Sequence, residues 1–255
     1  MGKFEVSGVF RRTISGISAH WKVLLAVGMG VGIISSVIGG VSMATALQSY
    51  DPRNAGTLFS IFGSPLYWLA AIGSMLLSAF SMSAMLGTLL KSSSESNTDF
   101  ATAFASGIRD VLPMVGLTIL WWLGLIVGYI LIIIPSLILL AMWSVSAPVL
   151  IAERSGVIGA FGRSRALTKG IRWPVFGALL LFLIVYLVIA SALQGFSQMG
   201  MLSLYKSNMT GAIVASLVST SLLGILTNAF LAGLYGEVLE AKEGGSQNDL
   251  AEVFA

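Results

Sequence analysis

The chain has no cysteine and a single histidine in 255 residues. The first absence excludes disulfide frameworks, thiolate nucleophiles, iron-sulfur clusters and Cys-based zinc sites; the second leaves almost no imidazole chemistry. Charge is scarce as well: 10% of residues are Asp, Glu, Lys or Arg, against roughly a quarter in an ordinary soluble domain. Apolar residues take their place, with 56% hydrophobic and a mean hydropathy of +0.92. So few charges cannot solvate one or two water-soluble domains of this length, and the bilayer is expected to be the solvent for most of the chain. The formal net charge of +3 is small, and no basic tract of the kind that binds nucleic acid is present.

A membrane helix needs about 20 apolar residues to cross the hydrocarbon. Uncharged runs of that length predict six spans: Val23 to Leu47, Pro65 to Leu90, Leu112 to Ile134, Pro135 to Ala152, Pro174 to Phe196 and Ala212 to Gly236. Residues 112–152 form one uncharged stretch, too long for a single crossing even with tilt. Pro135 biases Ile134 away from helical geometry and suits the start of a new helix, so the chain is expected to reverse at Ile133-Ile134-Pro135-Ser136. The fold class is therefore an all-α polytopic membrane bundle, one integral domain over residues 1–242, followed by a mobile acidic tail over 243–255. The chain is expected to fray from Glu237 onward.

With six spans, one side holds Lys3, Arg11, Arg12, Lys22, Lys91, Arg109, Arg154, Arg163, Arg165, Lys169, Arg172 and Lys242, and the other holds only Arg53 and Lys206. Lopsided loop cations place both termini in the cytoplasm of a bacterial inner membrane. The first apolar run is too long and begins too late for a cleavable signal, so the first span is expected to remain.

Amphipathic segments precede the odd-numbered spans. Val6, Val9, Phe10, Thr13, Ile14, Ile17 and Trp21 share one stripe; Phe100, Phe104, Ile108 and Val111 share another; Val157, Phe161, Ser164, Thr168 and Ile171 form the third. Basic and polar residues occupy the opposite faces, which predicts three helices lying in the membrane interface before spans one, three and five. Aligning Phe100 with Phe161 brings Pro113 onto Pro174 and Gly116 onto Gly177, as a repeated unit of interfacial helix and helical hairpin would. Small residues at intervals of four (Gly28, Gly32, Ser36 and Gly40; Ala70, Ser74 and Ser78; Gly124 and Gly128) predict close helix packing within the bundle or across a homodimer.

The spans carry no interior Lys, Arg, Asp or Glu, whereas ion-coupled transporters and most intramembrane enzymes keep ionisable groups there. Glu153, Arg154 and Glu237 fall at predicted boundaries, and His20 lies beside Trp21 and Lys22 without partners at a recognisable catalytic or metal-binding spacing. No enzyme, metal or cofactor is expected. Trp21, Trp173 and Tyr235, with Tyr67 and Trp68 on the other side, suit interface anchors; Trp121, Trp122 and Trp143 read as packing residues. Asn208-Met209-Thr210 matches a glycosylation acceptor that a bacterial setting leaves idle.

The densest stretch is the connector from Trp143 to Gly177, WSVSAPVLIAERSGVIGAFGRSRALTKGIRWPVFG. Ala147, Pro148, Val149, Glu153, Gly156, Ala160, Phe161, Arg163, Ser164, Leu167, Thr168, Gly170 and Trp173 together resemble the pattern of a membrane-domain family. That family is attached to some bacterial glycerophosphodiester phosphodiesterases and also occurs as stand-alone inner-membrane proteins. The resemblance implies six spans across most of the chain. No phosphodiesterase domain follows the sixth span within these residues, so the activity of the fused members is not carried over.

Independently of that likeness, Arg154, Arg163, Arg165, Lys169 and Arg172 crowd into 19 positions where the inner leaflet is anionic. With Ser164, Thr168 and Trp173 they form the candidate interface for lipid head groups or a partner protein, including a second copy of the chain. The expected function is a non-enzymatic protein that organises lipid or a partner at the cytoplasmic face. The alternative is a passive permease or channel component for a small neutral or amphiphilic solute, lined by Ser, Thr and Gly.

Overall fold

A computed structural model describes residues 3–49, 63–91, 100–131, 133–204 and 209–244. Asp51, Arg53, Lys206, Asn208 and the tail beyond Gly244 lie outside them. The described chain is helical almost throughout: α1 Val6–Ser49, α2 Pro65–Lys91, α3 Phe100–Leu131, α4 Ile133–Trp143, α5 Ser146–Glu153, α6 Gly156–Thr168, α7 Arg172–Leu204 and α8 Met209–Leu239, closed by a π turn over Glu240–Gly244. Six segments are long and apolar enough to cross a bilayer, namely Val6–Gly39, Pro65–Leu90, Phe100–Ile130, Ser136–Glu153, Arg172–Gly195 and Leu217–Gly244. The protein is an all-helical, multi-span membrane bundle.

Glycine sets the closest helix contacts, as the absence of a hydrophobic driving force between spans requires. Along the antiparallel pair α1 and α8, Gly8 faces Glu237, Gly233 faces Val9 and Thr13, and Gly28 and Gly32 face Ser221 and Leu217. A Cβ at Gly233 would stand 2.9 Å from the Val9 carbonyl oxygen and 3.1 Å from the Thr13 nitrogen. The α2–α3 pair is built alike, with Gly87 against Ser106 and Gly107 against Phe80. Phe182 stacks on Phe230 at 4.0 Å, and Phe10 reaches the same ring at 5.9 Å. One apolar core thus ties α1, α7 and α8 to α5, whose Ser146 to Ile151 are all buried.

The helix of the fourth span starts two residues earlier than expected. Helix α4 begins at Ile133, which leaves Pro135 in its first turn, where a missing N–H costs no hydrogen bond. Ile132, between the two helices, is outside the described residues. The hairpin itself is plain: Gly124 faces the Trp143 ring, and Gly128 faces Ser136 and Leu139.

The fourth span is two helices rather than one. Pro148 cannot donate to the Ser144 carbonyl, and the chain turns at Ser144 and Val145. Three hydroxyls donate to the carbonyls released at the break. Ser144 donates to Ala141 at 3.0 Å, Ser146 to Trp143 at 2.7 Å, and Ser164 of α6 to Met142 at 2.8 Å, while Thr168 beside it donates to the Ser164 carbonyl at 2.9 Å.

The three amphipathic segments do not share one fate. Residues 6–19 are the first part of α1, kinked from the rest at His20 (φ −123, ψ 17), and Val9 and Thr13 are buried on α8. Residues 100–111 run without a break into α3, past Pro113, and leave Phe100, Phe104 and Ile108 exposed. Only the third is a separate helix, α6. Gly170, with φ +88, breaks the chain there, whereas its counterpart in the internal alignment, Arg109, stays helical and pairs with Asp110 at 2.6 Å.

Two further expectations are corrected. Glu237 does not begin a frayed end: it is 8% exposed, and the chain stays helical to Leu239 and in a π turn to Gly244. The expected external loop from Ser197 is helix as far as Leu204.

Candidate functional site

The candidate residues gather where α5, α6, the start of α7 and the end of α8 meet. Helix α6 has two faces. Ala160, Ser164, Leu167 and Thr168 point inward and are fully or almost fully buried, with Ser164 donating to the Met142 carbonyl and Thr168 to the Ser164 carbonyl. Phe161 lies against Trp143 with ring centroids 4.8 Å apart. On the opposite stripe Ile158, Arg165 and Lys169 are exposed, and Arg154 and Trp173 extend that surface at either end of the helix. Ile158 is 81% and Trp173 82% exposed.

Arg163 sits between these faces and is spent internally. It donates to both Glu153 oxygens at 3.0 and 2.8 Å and also pairs with Glu243. Those bonds, first to Glu243 and then to Glu153, raise the guanidinium pKa and keep it charged. Tyr235, expected at the interface, is 6% exposed instead and donates its hydroxyl to Glu153 at 3.2 Å. A second cluster lies alongside: Arg12 pairs with Glu237 at 3.0 Å and with Glu240, while the Glu5 amide donates to Glu237 at 3.3 Å. Lys242 caps the end of α6 by donating to the Lys169 carbonyl. The two ends of the described chain are therefore fastened to each other and to α6 by ion pairs at one end of the bundle.

The sequence-predicted residues thus divide. Arg154, Arg165, Lys169 and Trp173 share an open surface. Ser164 and Thr168 are part of the packing, Arg163 is neutralised, and Arg172 keeps its Nε buried without a hydrogen-bond partner. Among the described ion pairs none involves Arg154, Arg165 or Lys169. Sequence reasoning did not bring Arg12, Tyr235, Glu240 and Glu243 into the cluster. The one available signal was their shared predicted boundary, because the pairs Arg12–Glu237 and Arg163–Glu243 span most of the chain or a third of it.

Two cavities among the described residues bear on these groups. One of about 650 Å³ lies beside the ion pairs, lined by Arg12, Ser15, Leu89, Tyr235, Glu240 and Glu243 among others. The other, of about 530 Å³, lies among the spans between α1, α2, α7 and α8. Among the described residues no three His, Asp or Glu side chains are grouped to hold a metal ion.

Set against family models, curated proteins and solved structures, the chain matches none of them. Fold and site define a multi-span membrane protein with an open cationic surface on the outer face of α6.

Proposed function

We propose that this protein is a non-enzymatic component of a bacterial inner membrane, with both termini cytoplasmic, and that it gathers anionic lipid head groups on the outer face of α6. The observation that carries the reading is the pairing of three cations that join none of the described ion pairs, Arg154, Arg165 and Lys169, with two largely exposed apolar anchors, Ile158 and Trp173. Apolar side chains in the acyl boundary and cations at the phosphates are what an interfacial helix offers. Arg154 adds a second sign: it occupies left-handed backbone (φ 50, ψ 33), where glycine is easier, so an arginine is held there against a conformational cost. The likeness to the stand-alone members of the phosphodiesterase-linked family belongs to the same proposal, since it rests on this connector.

The test is the preference of the purified full-length protein, in nanodiscs, for spin-labelled anionic over zwitterionic phospholipid. Three cations at about 1 kcal/mol each amount to roughly a hundredfold, so R154Q/R165Q/K169Q should remove most of the preference. An unchanged preference in a folded triple variant overturns the lipid reading. The second reading, a passive path for a neutral or amphiphilic solute, is favoured by the hydroxyl-lined cavity among the spans; it requires solute flux into liposomes holding this protein alone.

A further inference from the structure

The cavity among the spans is lined by Gly28, Gly32, Ser35, Ser78, Ser81 and Asn228, with Thr220, Ser221, Thr227, Tyr186 and a few apolar side chains completing it. Its volume of about 530 Å³ falls within the roughly 300–1,000 Å³ of small-molecule sites. Among the described residues no charged side chain lines it.

Several of its polar groups have their donors already committed. Ser78 donates to the Met75 carbonyl at 2.9 Å, Ser221 to Leu217 at 2.8 Å and Thr227 to Leu223 at 2.8 Å. The Asn228 amide nitrogen donates to the Gly224 carbonyl at 2.8 Å and faces the Met85 sulfur at 3.5 Å. Because the Gly224 carbonyl can only accept, that bond fixes which end of the Asn228 amide is nitrogen. Its Oδ1 is consequently the other end, buried and without any donor, on a residue only 8% exposed. A buried acceptor left unmatched is costly and marks a place where a partner is missing. At Asn228 the lining therefore holds an acceptor that lacks a proton.

We propose that this cavity binds an uncharged amphiphile from the bilayer, an apolar chain carrying one hydroxyl or amide N–H, which donates to the acceptors around Asn228. Charge is excluded because no counter-ion lines the cavity at that depth. An ester or ether lacking a proton is excluded because it would leave Oδ1 unmatched. The proposal concerns occupancy and is independent of the α6 surface; binding without flux leaves it standing and defeats only the permeation reading.

The test uses the full chain in nanodiscs and a sixteen-carbon alcohol carrying a diazirine, with the labelled residues mapped by mass spectrometry. Labels should fall on cavity residues such as Met82, Met85 and Thr227. Unlabelled hexadecanol should displace them about tenfold better than its methyl ether, which has nearly the same shape and no donor. Asn228→Leu, which removes the acceptor without emptying the site, should erase that difference. Gly224→Leu should abolish cavity labelling, because a Cβ at Gly224 meets nothing within 4 Å; it also separates ligand loss from misfolding. Equal competition by alcohol and ether, or labels confined to the outward residues Leu181 and Val188, would overturn the proposal. So would displacement by neither compound, which would leave the acceptor to a bound water.

Discussion

At the scale of single residues, the two glycines of α8 separated by nine positions make opposite demands. Gly233 lets the Val9 carbonyl come within 2.9 Å of where a Cβ would be, and the neighbours it meets are largely backbone, which cannot rotate away. Gly224 meets open space. Helix propensity favours alanine over glycine by about 1 kcal/mol at either site. At Gly233 overpacking outweighs that gain, so Gly233→Ala should lose about 1–3 kcal/mol net, while Gly224→Ala should hold or gain stability. Thermal unfolding of the two variants in one detergent, followed by helix circular dichroism, reads the difference. The ion pairs invite a similar distinction. Arg163 is two-thirds covered and bonded to two carboxylates, whereas Arg165 is exposed and pairs with none of those described. Arg163→Gln should therefore cost roughly 1–2 kcal/mol and leave the lipid preference in place; Arg165→Gln should do the reverse. The raised pKa of Arg163 adds no loss of stability at ordinary pH. A group whose folded value lies above its unfolded value keeps its full contribution below the unfolded one, and for a guanidinium that lies far above ordinary pH.

At the scale of elements, the sequence showed where helices must be and left open what covers their apolar faces. The stripe through Ser164 and Thr168 was visible from spacing alone. Lipid and protein bury an apolar face equally well, so periodicity cannot choose between them. In α6 and around Val9 and Thr13 protein covers the face; at Ile14 and along Phe100, Phe104 and Ile108 it stays open. The same limit hid the break in the fourth span. Pro148 was in view, yet the hydroxyl that takes up the Met142 carbonyl comes from a helix 22 residues further on. Released carbonyls in a bilayer must find donors within the protein. Removing that donor together with the hydroxyl beside it, S164A/T168V, should therefore cost about 1–3 kcal/mol, close to the isosteric limit since each change removes little more than one oxygen. Urea or heat unfolding supplies the number. Hydrogen exchange should report where it acts, with faster exchange at residues 142–150 than in α7. A uniform loss of protection across the bundle would place the role of these hydroxyls elsewhere.

At the scale of the whole molecule, the ends of the chain define the architecture. Helix α1 runs antiparallel to α8 from Gly8 to Gly32, and the Glu5 amide reaches Glu237, so an even number of crossings is built into the packing as well as into the distribution of charge. Six spans were legible because crossing length and uncharged runs are local properties of sequence. The ion-pair cluster was not, since it joins residues up to 228 positions apart, and neither was the cavity, which is assembled from four helices. Which compartment faces the clustered end is a matter of cation asymmetry, and that asymmetry predicts the cytoplasm. The complete absence of cysteine makes the test direct, because each introduced thiol is the only one in the protein. Ser7→Cys and Lys169→Cys, both on exposed positions, should resist a membrane-impermeant maleimide added to intact cells and react once the membrane is opened. Gly63→Cys, before α2 at the other end, should react from outside without lysis. Ser7 and Lys169 labelling from opposite sides would require an odd number of spans between them and would break the bundle described here. All three reacting from the reverse sides would keep the bundle but turn it over, and would deprive the α6 cations of the anionic leaflet on which their proposed function depends.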